Sequence, residues 1–179
     1  PRKLDCEYIL TYYVSIDTRL RPAMTEPQLV SLKEIQKHTG FGPDNLRDMR
    51  RRGLLDEIGI PGEGLAWSYR LGDLLALAAA RILLEDDGIK LPWALQIAVA
   101  AKPYIATWLR PADDAAASFR ALPYIVAYPQ SGKLIVERYE DPSTAVSPLP
   151  DVRVAFRVDC RAIAKALPSN VKKLFAVRG

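Results

Sequence analysis

The stretch Ser31-Leu-Lys-Glu-Ile-Gln-Lys-His-Thr-Gly40-Phe-Gly-Pro-Asp-Asn-Leu-Arg-Asp-Met-Arg50-Arg-Arg-Gly-Leu-Leu55 decides how the rest of this chain is read. It holds two short helical patterns separated by Thr39-Gly40-Phe41-Gly42. Ser31 followed by Glu34 spells a capping box: the hydroxyl accepts a backbone N–H and the carboxylate reaches back to the cap. Leu32 and Ile35 then share one face. Gly40 and Gly42 let the backbone turn sharply, and Pro43 suits the first position of the second helix. In that helix Leu46 and Met49 face inward, while Arg47, Arg50 and Arg51 share the opposite side through spacings of three and four. Gly53 is a natural stop in the left-handed conformation.

Working outward, Trp67-Ser-Tyr-Arg-Leu-Gly-Asp-Leu-Leu75 leads into a strongly apolar helix. Helix, tight turn, basic helix, hairpin and long helix is the order of a winged helix-turn-helix, a module that enters a DNA groove. A run of arginines often means no more than a solvated face. Its place here, on the second helix after a glycine-containing turn, favours DNA. Gly59-Ile-Pro-Gly-Glu-Gly64 lacks the Lys-Ser/Thr and the strand–helix context of a phosphate loop and reads as the tip of the wing.

The segment resembles the DNA-binding domain of the MerR family of bacterial transcription regulators. The shared features are Thr39-Gly40, Pro43-Asp44, Leu46-Arg47, Gly53-Leu54-Leu55, Tyr69-Arg70 and Asp73-Leu74, with Gly88-Ile89 and Leu91 resembling the family's step into its next helix. The resemblance covers residues 31–98. The chain departs from the pattern at Asp48-Met49, where the family carries aromatic residues, and in a longer wing with Asp56, Glu57 and Glu63. The resemblance implies double-stranded DNA as partner, a homodimer on a pseudo-palindromic site, and transcription regulation through altered promoter geometry. Candidate DNA-contacting residues are Lys33, Gln36 and Lys37 on the first helix, and Asn45, Arg47, Arg50 and Arg51 on the second. Tyr69 and Arg70 of the wing join them, Arg70 as the phosphate ligand and the Tyr69 hydroxyl as a second donor. Trp67 is expected to anchor the wing.

Composition agrees with that reading without carrying it. The chain has 179 residues, is 49% hydrophobic and has a net charge of +4, with pI near 9.1; this is a mildly basic balance. The longest apolar stretch, Leu74 to Leu84, contains Arg81 and is too short to span a bilayer. No signal peptide opens the sequence, so a cytoplasmic location is expected. Cys6 and Cys160 show no CxxC or Cys/His spacing, and neither a metal nor an organic cofactor is expected. The one histidine, His38, is read as capping the first helix or approaching a phosphate rather than building a triad. Asp86-Asp87 and Asp113-Asp114 are adjacent pairs whose carboxylates diverge. No catalytic residue is assigned and no enzyme is expected.

Four regions follow from these patterns. Residues 1–30 form an N-terminal extension in which Glu7 to Ile16 is strand-like, read either as a strand joining the C-terminal sheet or as residues ahead of a start at Met24. Residues 31–90 form the winged helix domain. Residues 91–121 form a helical connector that Pro103 and Pro111 divide into short pieces. Trp93, Tyr104 and Trp108 there are candidates for a dimer interface, with an intramolecular core an equal alternative. Residues 122–179 form a small α+β domain. Tyr124–Tyr128 and Lys133–Tyr139 are a hairpin with a four-residue turn, Val152 to Val158 is a third strand with one wet face, and Asp159 caps a helix through Leu167. Ser169 to Phe175 adds a final turn or two. Arg153, Arg157 and Arg161 are read as a solvated face.

The fold class is therefore α+β: a winged helix-turn-helix followed by a small antiparallel sheet with one or two helices. The function expected is a sequence-specific, dimeric transcription regulator. The alternatives are a phage or mobile-element DNA-binding protein of excisionase or small-terminase type, and a protein-interaction adaptor on a winged-helix fold.

Overall fold

The computed structural model describes residues 29–62, 66–109, 124–131, 133–139 and 154–178. The strand-like segment Glu7 to Ile16 and the region from Pro111 to Phe119 lie outside them. The protein is α+β. Strand β1 (Leu29–Val30) leads into α1 (Leu32–Thr39), which begins as its sequence dictates. The Ser31 backbone N–H and hydroxyl both donate to the Glu34 carboxylate at 3.0 and 2.9 Å, and the Glu34 N–H returns to the hydroxyl at 3.2 Å. Gly40, at φ 72°, closes the helix in the left-handed region. Thr39 reinforces the turn, donating to the Ile35 carbonyl at 2.8 Å and accepting the Phe41 N–H at 3.2 Å.

Helix α2 (Pro43–Arg51) starts on proline and ends before Gly53, whose φ is 69°. Strands β2 (Ile60–Pro61) and β3 (Trp67–Arg70) form an antiparallel hairpin, with β1 paired on the other side of β3. Val30 stands opposite Tyr69, and Pro61 opposite Trp67. A strand at residues 29–30 is not expected from sequence, since two residues carry no detectable period. Helix α3 (Leu71–Glu85) follows without a break, and the buried Asp73 carboxylate accepts the Arg70 N–H at 2.8 Å.

Helix α4 (Leu91–Leu109) corrects one expectation: it runs unbroken through Pro103. An interior proline costs roughly 3 kcal/mol through a missing hydrogen bond and a ring clash. Here Pro103 sits on the exposed side, while Ala94, Leu95, Ile97, Ala98, Ala101, Tyr104 and Ile105 are buried. Packing of that face against α3, the most extensive helix pairing in the fold, outweighs the local penalty.

The second sheet has the order β5-β4-β6, from β4 (Tyr124–Gln130), β5 (Lys133–Tyr139) and β6 (Phe156–Asp159). Gln130 pairs with Lys133, so the hairpin closes two residues tighter than expected, with Ser131 at φ 51°. The described third strand starts at Phe156, because Val154 and Ala155 lie outside any ladder and Val152 lies outside the described residues. Helix α5 (Cys160–Ala166) is capped by Asp159, whose carboxylate accepts the Arg161 and Ala162 N–H groups at 2.8 and 3.1 Å. Helix α6 (Ser169–Arg178) is longer than the expected turn or two. On the sheet, both Tyr128 and Tyr139 donate to Glu137, at 3.0 and 2.5 Å. The Glu137 hydrogen bond, aided by burial, pushes the Tyr139 hydroxyl up to about 12.

One hydrophobic core joins all of this. It runs from Val30, Ile35, Leu46 and Met49 through α3 and α4 to Ile125, Val158, Cys160, Ile163 and Phe175. Tyr104 is inside it, Trp93 meets Phe156 edge-on at 5.6 Å, and Trp108 packs against its margin. The three aromatic residues proposed for a dimer contact thus make intramolecular contacts. Among the described residues no helix is long and apolar enough to cross a membrane.

Candidate nucleic-acid interface

Leu46 and Met49 are buried under α2, so geometry leaves Asp44, Asn45, Arg47, Arg51 and Arg52 on its exposed side. Arg47 donates to Asp44 at 2.8 Å and Arg51 to Asp48 at 2.6 Å; Arg52 approaches the same Asp48 carboxylate at 3.5 Å. The Arg51 hydrogen bond, with the nearby charges of Arg51 and Arg52, lowers the Asp48 carboxyl below its usual range against an opposing effect of desolvation. The Arg47 and Arg51 side chains are 79% and 81% exposed. Ion pairs of that kind contribute about 0–1 kcal/mol, so both guanidinium groups are free to exchange an aspartate for another anion. The Asn45 amide oxygen accepts the Gly42 N–H at 3.1 Å, which makes it a cap at the turn as well as an exposed polar group. Lys33, Gln36 and Lys37 are exposed along α1.

Arg50 departs from the expected outward arrangement. It is half-buried, and its guanidinium donates to the Ile58 carbonyl at 2.8 Å and the Leu55 carbonyl at 3.3 Å. Its central carbon lies 3.2 Å from the centre of the Trp67 ring, and the Tyr69 hydroxyl is within 3.5 Å. Arg50 thus bolts α2 to the hairpin. The helical spacing that grouped it with Arg47 and Arg51 is correct; what overrides it is the hairpin folding back over that edge of the helix. Tyr69 also differs from expectation. It is 2% exposed, so its hydroxyl faces Arg50 rather than an external phosphate. Trp67 does anchor the hairpin, with Arg50 as its partner. Arg70 is exposed where β3 meets α3.

Between α2 and β3 lies a cleft of about 440 Å³ with Leu46, Trp67 and Tyr69 on its apolar side and Arg47, Arg50 and Arg51 above. Gly59 permits this closeness. It has φ 89°, and a Cβ there would stand 3.0 Å from the Arg50 Nη2 and 3.3 Å from the Ser68 carbonyl oxygen. Gly59→Ala is therefore expected to destabilise the protein by about 2 kcal/mol, through backbone strain and displacement of the Arg50 side chain. Urea unfolding measures this. A destabilisation below half that value would mean that the strand shifts freely.

Among the described residues no three His, Cys, Asp or Glu side chains gather as a metal site. Cys160 is buried, and burial pushes its thiol up to about 12, so it stays protonated near neutral pH. His38 is half-buried at the end of α1, with its buried Nδ1 unpartnered. Sequence reasoning missed Arg52, and it missed the lysines of α5 and α6. The spacing of Arg161 and Lys165 was the available signal for the latter.

No protein-family model matches the chain, and none of the curated proteins matches it significantly.

Proposed function

We propose that this protein is a sequence-specific DNA-binding transcription regulator, built on a MerR-like winged helix-turn-helix and acting as a dimer on double-stranded DNA. The observation that carries the reading is α2 itself. It is a short helix held end-on by a glycine turn, with its apolar side locked in the core and Arg47 and Arg51 exposed beside a hairpin. A helix of this length spans about 13 Å, close to the roughly 12 Å width of the major groove. Asn45 and Arg47 near its N-terminus would face base edges, and Arg51 the flanking backbone. Arg70, on the hairpin that serves as wing, would take a phosphate. One recognition helix reads few base pairs, and a two-fold dimer would read both halves of a palindrome.

Arg47→Ala combined with Arg51→Ala is expected to weaken specific binding by about 1–3 kcal/mol for each bidentate hydrogen-bond pair to a base that the substitutions remove. A gel shift with a site selected from random sequence checks this, and unchanged affinity in the folded variant would sink the reading. Arg70→Ala should reduce the slope of log affinity against log salt by roughly one. Light scattering of the full chain tests the dimer, and a monomer that binds one site tightly would exclude it.

The aspartates paired with Arg47 and Arg51 favour a second reading, a protein-interaction adaptor on the same fold. Selection of random duplexes separates the two, since an adaptor would enrich none.

A further inference from the structure

We propose that the groove between the end of α4 and helices α5 and α6 is a second surface for the phosphate backbone of duplex DNA. This rests on the DNA-binding reading above and extends it to a part of the chain outside the helix-turn-helix. Arg161, Lys165, Lys172 and Lys173 line the groove, with Trp108 at its floor, and it encloses about 540 Å³. Among the described residues no carboxylate lines the groove. Among the described residues none of these four cations is paired with an acid, in contrast to Arg47, Arg51 and Arg52 on α2. Four cations are thereby gathered at one place without a described ion pair.

Two of the cations, Arg161 and Lys172, are positioned as well as gathered. Arg161 and Lys165 are one turn apart on α5, a like-charge spacing that costs a helix a few tenths of a kcal/mol, about the gain of an opposite pair. The Arg161 guanidinium lies 5.2 Å from the centre of the Trp108 ring, which fixes its direction. The Lys172 ammonium donates to the Lys165 carbonyl and so ties α6 to the end of α5. A cluster of cations with no described acid beside it suits a polyanion, because each phosphate neutralised releases condensed counterions. Arg161 occupies a face of Trp108. Stacking of an unpaired base on that ring is thereby disfavoured, and the chemistry that remains is that of a duplex backbone rather than single-stranded bases.

The test compares three full-length proteins by fluorescence anisotropy across a salt series: the wild type, Lys165→Gln/Lys172→Gln/Lys173→Gln, and Arg47→Ala/Arg51→Ala. The probes are a long mixed-sequence duplex and a polyglutamate peptide, and circular dichroism verifies folding. Lys165→Gln/Lys173→Gln, which keeps the Lys172 hydrogen bond, replaces the triple variant if that one unfolds. The groove variant is expected to lose about tenfold or more in duplex affinity at low salt, with its salt slope reduced by about two to three. Wild-type affinity and slope in the groove variant, with the α2 variant weakened, would overturn the groove and leave the proposed function standing. Weakening in the groove variant alone would support the groove and show that α2 adds nothing to binding of the phosphate backbone, its base reading being decided by the selected site above. A wild type that binds no duplex would overturn both, and polyglutamate bound in place of duplex would reassign the groove to an acidic protein.

Discussion

Replacing Arg50 with alanine is expected to destabilise the protein by about 2–4 kcal/mol, more than any other arginine of α2. The guanidinium satisfies the carbonyls of Leu55 and Ile58, two residues buried at the base of the hairpin, and covers the Trp67 ring. Hydrogen bonds from a charged donor contribute about 1.5–3 kcal/mol, and leaving the Ile58 carbonyl unpaired costs its full desolvation, whereas the Leu55 carbonyl keeps the Ile58 N–H at 3.1 Å. The cation–aromatic interaction adds about 0.5–2 kcal/mol. Arg47→Ala and Arg51→Ala remove only exposed pairs and should shift stability by less than about 0.5 kcal/mol. Urea denaturation of the three single variants decides the point. An Arg50→Ala midpoint equal to that of Arg47→Ala would mean that the hairpin holds its place without the bolt. The same contrast guards tests of the proposed DNA binding: weaker binding on Arg50→Ala would report a displaced hairpin, whereas weaker binding on Arg47→Ala would report a side chain that touches DNA directly.

Ile105→Ala is expected to cost about 2–5 kcal/mol, in the range for a fully buried aliphatic side chain. Ile105 has no exposed surface and lies on α4, the helix that meets α3 as well as α5, α6 and the second sheet. Because one core runs from Val30 to Phe175 among the described residues, calorimetry should show a single transition that moves as a whole to lower temperature. Two transitions, of which the variant shifts only one, would show that the N-terminal helices and the C-terminal sheet unfold separately. The shared core also predicts the outcome of a chain ending at Phe119. That fragment would keep α3 but lack the α5, α6 and sheet partners of α4, exposing the part of α4 that they cover, and should aggregate or melt well below the full chain rather than persist as an isolated module.

Local chemistry was legible in the sequence. The Ser31–Glu34 box, the Gly40 turn, Pro43 at a helix start, the Gly53 stop and the Asp159 cap each depend on residues within a few positions of one another, and each is present in the structure. The α+β class followed from the same short-range patterns. The candidate interface was legible in part, since helical spacing alone places Arg47 and Arg51 outside and Leu46 and Met49 inside. What only the tertiary structure decided depends on residues far apart in sequence. The hairpin folds over one edge of α2 and turns Arg50 from a candidate DNA ligand into a brace, and it buries Tyr69. Packing on α3 carries α4 through Pro103 against its local preference. The end of α4 meets α5 and α6, which assembles a basic groove from Arg161, read in the sequence as part of a solvated face, and three lysines to which sequence reasoning assigned no role. Short-range hydrogen bonding and turn geometry are written in neighbouring residues, whereas burial and the gathering of like charges are properties of surfaces that exist only once the chain has folded.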